Sequence, residues 1–382
     1  MKQKLIRVTT IPNSLGKLLT GQLHYMSKYY EVIGISSGGK NLIKVEQQEG
    51  VRVIPVELTR SITPLKDLQS VYHLYKVFKK EKPFIVHSHT PKAGTTAMLA
   101  AKLAGVPHRL HTIAGLPLLE ATGVKRTVLN LVEKITYACA TKIYPNSFGL
   151  QDIILKAKFT IKNKLKVIGN GSSNGIDTSF FNPDLYTPEA NQKLRTELGF
   201  SPEDIVYTFV GRLVADKGIN ELILAFKKLA ALKTNVKLLL VGTFETELDP
   251  LNKASLDYIY NNHTVLGIGW QDDVRPYFAI SDALTFPSYR EGFPNVVMQA
   301  GAMKLYSIVT DINGCNEIIK EGVNGTIIPV KDSDALFAKM LQFYEQKATL
   351  YSPDKCREEM IANYERSYVW EQLHKEYNSL EA

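Results

Sequence analysis

Short apolar runs alternate with stretches of helical periodicity along almost the whole chain, and that alternation constrains the fold more than any other feature. Leu5-Ile-Arg-Val-Thr-Thr, Glu31-Val-Ile-Gly-Ile-Ser-Ser, Val51-Arg-Val-Ile-Pro-Val, Phe84-Ile-Val-His-Ser-His, Arg109-Leu-His-Thr-Ile and Thr141-Lys-Ile-Tyr-Pro-Asn have the length and residue types of strands. Between them, Leu65 to Lys80, Ala93 to Leu103 and Val128 to Ala140 have helical spacing. Strands joined through helices pair in parallel and are covered on both faces. The texture breaks at Gly169-Asn-Gly-Ser-Ser-Asn-Gly-Ile-Asp-Thr, a cluster of turn formers that reads as a connection between domains. A second series then begins at Ile205-Val-Tyr-Thr-Phe-Val and continues through Val236-Lys-Leu-Leu-Leu-Val-Gly, Thr264-Val-Leu-Gly, Ala283-Leu-Thr-Phe and Ser307-Ile-Val-Thr. The fold class is α/β, with two Rossmann-like parallel-sheet domains.

The 382 residues suffice for two domains of ordinary size, and 45% apolar with 22% charged residues is a globular composition. We place the domains at residues 1–172 and 173–363. Helices are expected from Asp334 to Gln346 and over 364–382, where Trp370, Leu373 and Tyr377 have the spacing of a docking face. Cys139, Cys315 and Cys356 are few, odd in number and unpatterned, which argues against a disulfide framework or a zinc site. The basic start Met1-Lys-Gln-Lys precedes an apolar run too short for a signal peptide. No run approaches the roughly 18 apolar residues of a membrane span. A cytoplasmic protein is therefore expected.

The formal charge of +8 hides a division. Residues 1–170 hold 26 Lys and Arg against 9 Asp and Glu, and the remainder holds 20 against 29. A basic half joined to an acidic half suggests an anionic partner for the first. No nucleic-acid reader motif is present, so an anionic membrane surface is the better candidate, with an inert basic surface as the alternative. Lys125-Arg126 precede an amphipathic run ending at Lys142, and Lys156, Lys158, Lys162, Lys164 and Lys166 cluster beyond it.

Two segments of the second series carry chemistry. Asp282-Ala-Leu-Thr-Phe-Pro reads as a buried strand, Ser288 to Pro294 as a tight turn holding Glu291, and Asn295 as the start of a helix. Gly292, Phe293, Pro294, Asn295 and Val296 thus lie where backbone N–H groups face an anion. Upstream, Thr208-Phe-Val-Gly-Arg-Leu-Val-Ala-Asp-Lys-Gly is again strand, loop and helix start. Gly211 permits close approach to the backbone, and Arg212 and Lys217 supply cations at the strand's carboxyl end. An Arg fork suits a diphosphate and Lys adds a point charge. The bland alternative is an ordinary connection bearing solvated loop cations.

The order and spacing of Gly211-Arg212 with Lys217-Gly218, Pro287-Ser288, Glu291-Gly-Phe-Pro, Gly314-Cys-Asn-Glu-Ile-Ile and Gly322-Val-Asn-Gly resemble glycosyltransferase family 4, over nearly the whole chain. The resemblance implies the GT-B fold, two domains facing across a cleft, with the terminal helix crossing back to the first. It implies retaining sugar transfer from a nucleotide sugar, a UDP-sugar above all, to a hydroxyl of a polyprenyl-diphosphate-linked saccharide, as in bacterial capsule and O-antigen synthesis. Such an enzyme works at the inner face of the cytoplasmic membrane. Glu291 then contacts the transferred sugar, and His111 resembles the family's first-domain donor contact. Gln299 stands where a second Glu holds the ribose hydroxyls. Gln still bonds a hydroxyl but without charge assistance. The missing second carboxylate also argues against a glycosidase pair.

The remaining candidates stay two-sided. Gly16 lies after the first strand and either offers N–H groups or is a plain turn. It is not part of a Gly-x-Gly-x-x-Gly fingerprint, which weakens an NAD reading. Gly242 and Ile268, on loops at strand ends, are candidate walls for base and phosphates. Glu317 either meets the ligand or complements a helix dipole. His87 and His89 share a strand face, but further metal ligands are not evident. Asp272-Asp273 and Asp332-Ser-Asp334 read as helix caps rather than metal ligands. No cofactor and no metal are therefore expected. A nucleotide-sugar 2-epimerase and a non-catalytic nucleotide-sugar-binding protein remain as alternatives.

Overall fold

A computed structural model describes residues 2–59, 63–116, 118, 121–245, 247, 249–350 and 352–381. It divides the chain into two compact units. The first comprises Met1–Gly175 with Ser367–Ala382, and the second Ile176–Arg366.

The first unit holds β1 (Lys4–Val8), β2 (Glu31–Ser36), β3 (Arg52–Pro55), β4 (Ile85–Ser88), β5 (His108–Ile113) and β6 (Lys142–Pro145). All pair in parallel, in the order β3-β2-β1-β4-β5-β6. The second unit holds β7 (Ile205–Val210), β8 (Val236–Val241), β9 (Val265–Gly267), β10 (Ala283–Phe286), β11 (Tyr306–Thr310) and β12 (Gly325–Ile328). Its parallel order is β12-β11-β10-β7-β8-β9. Renumbered within its own unit, the second sheet repeats the first strand for strand, and this doubled Rossmann-like topology is the pair that the GT-B class comprises. In each, chain direction across the sheet reverses beside the first strand. That switch point is β1/β4 in the first unit and β7/β10 in the second, and open α/β sheets hold ligands outside the carboxyl ends of such strands.

The central strands are apolar on both faces, as coverage by helices requires. Val206, Phe209, Leu238, Leu239, Leu240, Leu284, Ile308 and Val309 are all sealed from solvent. The helix Arg366–Asn378 docks in the first unit. Leu373 and Tyr377 join the cluster around Leu5, Leu15 and Leu23, and Trp370 donates to Asn174 Oδ1 at 2.7 Å.

Several elements escaped the sequence reading, among them the helices Lys40–Glu49, Phe148–Lys156, Pro188–Glu197 and Lys253–Asn261. β12 is four residues, Gly325-Thr-Ile-Ile, too short for a periodic signal. The helix Pro353–Tyr364 was not anticipated either, because apolar residues are sparse along it; it buries only Cys356, Met360 and Tyr364. Asp332 does cap a helix, its Oδ1 accepting from Ala335 N at 2.8 Å, whereas the helix Arg275–Ala279 has Val274 at its N-cap, and Asp273, one residue earlier, accepts from Arg275 N at 3.0 Å. Among the described residues, no helix is long and apolar enough to cross a membrane.

Candidate active site

The second unit's motifs fall in sequence along one sheet edge. Gly314 follows β11, Ser288 to Glu291 follow β10, Arg212 to Gly218 follow β7, Gly242 follows β8 and Ile268 follows β9. Glycines let these loops touch. A Cβ at Gly218, whose φ is +71°, would lie 2.0 Å from the Pro287 carbonyl oxygen. One at Gly242 would lie 1.8 Å from the Gly211 oxygen, and one at Gly314 2.6 Å from the Gly292 oxygen. These contacts are with backbone, which cannot rotate aside. Gly218, Gly242 and Gly314 thus lock the loops after β7, β8, β10 and β11 together. Gly211 itself donates its N–H to Val241 O at 2.9 Å, so it shapes the edge rather than offering that amide to a ligand.

Charge gathers at the β7/β10 switch point. Lys217 Nζ pairs with Glu291 Oε1, both side chains being largely buried. Ser288, fully buried, donates its hydroxyl to the same Oε1 at 3.0 Å. Asn313 Nδ2 donates to the backbone oxygens of Glu291 and Gly292, which fixes the turn's path. Arg290 reaches back to Asp216 Oδ2 at 2.7 Å, and Tyr289 N donates to Asp216 O at 2.9 Å, tying the two loops again. Arg212 extends to Glu245 Oε2 at 2.7 Å with its side chain half exposed. Beneath Glu291 lies Cys315, whose thiol is pushed far up first by burial and then by that carboxylate, so it stays a neutral thiol.

The helix Asn295–Ala302 opens on this cluster. Its N-cap is Pro294, and no side chain caps it. The first N–H groups of a helix have no intrahelical acceptor and carry the positive end of its dipole. Gln299 lies one turn beyond Asn295, half-buried. Glu317 Oε1 accepts from Gly314 N at 3.3 Å, and its carboxylate stands in the first turn of the short helix Cys315–Ile318, where it complements the helix dipole.

In the first unit, two expectations change. Gly16 is not in a turn. It is the fifth residue of the helix Pro12–Leu18, inside the helical ladder, and a Cβ there would meet Val45 Cγ2 at 3.0 Å. Its small size serves helix packing. His111 is not at a strand end, because β5 runs on to Ile113. It is buried, its Nδ1 2.9 Å from Ser88 Oγ, and its ring fills the space that a Cβ on Gly94 would take. Burial holds its imidazole down to about 4, so it is neutral at pH 7. His87 and His89 lie beside a buried cation. The fully buried Arg7 donates from Nε to His89 Nε2 at 3.0 Å and from Nη1 to the Tyr377 hydroxyl at 2.9 Å. That hydroxyl lies 2.6 Å from His87 Nδ1. Both imidazoles are pushed well down by burial and by Arg7. Among the described residues, no group of three or more His, Cys, Asp or Glu is placed to hold a metal.

Sequence reading missed Ser288 as the second donor to Glu291, together with Asn313 and the Arg290–Asp216 pair. Ser288 was legible as part of the Pro-Ser motif. Asn313 carried no signal, since its role depends on where the loop after β11 returns.

Comparison with known proteins places this arrangement. Residues 190–366 match the family model described as glycosyl transferases group 1, and residues 18–147 that described as glycosyl transferase 4-like. The capsular polysaccharide biosynthesis glycosyltransferase CapM of Staphylococcus aureus is 34% identical over 380 residues, 99% of this chain and 97% of that protein. The UDP-Gal:alpha-D-GlcNAc-diphosphoundecaprenol alpha-1,3-galactosyltransferase of Escherichia coli is 28% identical over 377 residues, covering 95% of this chain and 93% of its own. The crystal structure of HepE from Anabaena in complex with UDP superposes with a TM-score of 0.78 at 18% identity, over 99% of this chain and all of that one.

Proposed function

This chain belongs to glycosyltransferase family 4, and we propose that it moves a sugar with retention of configuration from a UDP-sugar to a hydroxyl of a polyprenyl-diphosphate-linked saccharide. One observation carries the reading. The switch point of the second sheet brings together a cation (Lys217), a carboxylate (Glu291) and the uncapped start of the helix Asn295–Ala302.

Glycosyl transfer leaves negative charge on the departing diphosphate. Preorganised cations and N–H dipoles aimed at that charge lower the barrier. In the proposal, the diphosphate takes Lys217 and Arg212 from Glu291 and Glu245, and the N–H groups of Asn295 and Val296 meet its oxygens. Glu291, still held by Ser288, accepts from a hydroxyl of the transferred sugar. Gln299 bonds the ribose, Gly242 and Ile268 wall the base, and the Gly292 to Pro294 turn keeps the backbone close. The leaving phosphate takes the proton of the incoming hydroxyl, as in front-face displacement. No metal is assigned, because Lys217, Arg212 and the helix supply positive charge.

The acceptor side rests on the relatives. The Escherichia coli relative's name specifies a diphosphoundecaprenol acceptor and a UDP-linked donor. Such an acceptor resides in a bilayer, so a peripheral position at the inner face of the cytoplasmic membrane belongs to the same proposal. The basic first half supports it, since each cation near an anionic leaflet contributes about 1 kcal/mol.

The test incubates the protein with a panel of nucleotide sugars, with and without lipid-linked saccharides. Release of UDP that requires the acceptor supports the reading. Epimerised donor without acceptor, or binding without turnover, refutes it in favour of the alternatives.

A further inference from the structure

Helix layers covering a parallel sheet usually turn charged faces outward. One layer of the first unit also turns apolar stripes outward. The helix Pro64–Glu81 packs on Pro91–Ala104, which packs in turn on Gly123–Cys139. On Gly123–Cys139, the residues exposed to solvent include Val124 (81%), Val128 (42%), Leu131 (58%) and Ile135 (43%). Their spacing of four, three and four places them on one narrow stripe. The helix docks through Tyr137 on the opposite side and, in its last turn, through Thr136 and Cys139. The helix is amphipathic with its apolar stripe facing outward. Exposed Lys125 and Lys134 flank the stripe on either side. The sole acid of the helix, Glu133, is half-buried. Two helices away, Leu65 (79%), Leu68 (63%) and Tyr72 (54%) repeat the pattern at spacings of three and four. Both stripes begin at the helix N-termini, which stand at the carboxyl edge of the sheet because each helix follows its strand.

We propose that this helix layer seats the protein on an anionic lipid bilayer by inserting the Val124–Ile135 stripe, with the Leu65–Tyr72 stripe beside it, at the boundary between headgroups and acyl chains. A convex apolar ridge bordered by lysines matches such a surface, where an amphipathic helix lies in the interface plane with cations on its flanks. The proposal rests on the lipid-linked acceptor reading, and it adds an apolar anchor to the electrostatic attraction. It also orients the molecule: the carboxyl edge of the first sheet, where a ligand of that unit binds, is brought to the lipid.

Co-sedimentation of the full chain with vesicles of phosphatidylglycerol and phosphatidylethanolamine tests it. Leu131→Ser with Ile135→Ser changes no charge, and its expected effect is a fall in partitioning of about tenfold or more, about 1.4 kcal/mol. Leu224→Ser with Tyr260→Ser removes comparably exposed apolar groups from the second unit and is expected to leave partitioning unchanged. A far-UV circular dichroism spectrum and a cooperative urea transition unaltered from the wild type show each variant to be folded; for the stripe variant the transition is followed by Trp370 in a Trp270→Phe background, because Trp370 lies in the same unit as the stripe. Equal partitioning of the stripe variant and the wild type overturns the proposal, as does an equal fall in both variants or a wild type that does not partition. The two readings fail separately. A wild type that partitions through the stripe yet transfers no sugar to a lipid-linked acceptor removes the acceptor reading and leaves the surface standing. Transfer by a wild type that does not partition removes the surface alone.

Discussion

Acidification should weaken the first unit through His111 in a way that can be isolated. Burial holds this imidazole down to about 4 in the fold, against about 6.5 in an unfolded chain. The folded state therefore refuses a proton that the unfolded state accepts. Its contribution to stability is fully present above the unfolded value and is lost as pH falls toward the folded value. Proton linkage for a shift of that size removes about 2 kcal/mol between about pH 7 and about pH 5, and about 3 kcal/mol once the pH is below about 4. His87 and His89 act in the same direction. Glu81, held at about 2 by hydrogen bonds from Arg52 and Lys4, adds its own loss only below its ordinary value of 4.5. His111→Gln removes one titration and leaves the others. The stability difference between wild type and variant should therefore shift by about 2 kcal/mol against the wild type from about pH 7 to about pH 5. The chain has two tryptophans, and Trp370 is the one in the first unit. Urea unfolding followed by its fluorescence in a Trp270→Phe background reports that unit. A difference that stays constant within about 0.5 kcal/mol, the usual additivity error, would refute the buried neutral imidazole.

Three further outcomes follow from the second unit. Lys217→Ala should lower turnover by about 10²–10³, the usual cost of a lost transition-state donor, and Arg212→Ala should lower it in the same direction; less than a threefold loss in both sinks the diphosphate assignment. Gln299→Glu should bind UDP equally or more tightly by calorimetry, because a carboxylate accepts ribose hydroxyls with charge assistance; a tenfold loss would mean that Gln299 meets something else. Gly218→Ala forces a side chain into a left-handed conformation against the Pro287 carbonyl, and should cost about 1–3 kcal/mol in thermal unfolding; an unchanged Tm would contradict the packing of the two loops.

Much of this was legible because parallel sheets write long, apolar, periodic strands. Ile205–Val210 and Val236–Val241 are uninterrupted apolar or β-branched runs apart from Lys237, and the strand reading placed both. The Gly-Arg, Lys-Gly and Glu-Gly-Phe-Pro segments were visible because loops at a switch point need glycine for close backbone contact and charge for a ligand. What stayed hidden depends on tertiary return. Gly16 looks like a turn glycine, and only the arrival of Val45 shows that it is a packing glycine. Asn313 is an ordinary polar loop residue until the loop after β11 lays it against the Glu291 carbonyl. Arg7 drew no notice in the sequence, yet β1 is central and the guanidinium is fully buried among His89, Tyr377 and Gln22.

The central claim is that a nucleoside diphosphate sits on the switch point of the second sheet, and amide hydrogen exchange in the presence of UDP measures it directly. The account predicts slowed exchange over residues 212–218 and at the start of the helix Asn295–Ala302, where uncapped N–H groups would gain phosphate acceptors. Lys217→Ala should abolish or sharply weaken that protection at the same UDP concentration. Protection confined to other segments, with residues 212–218 and 292–299 exchanging as fast as without UDP, would contradict the account.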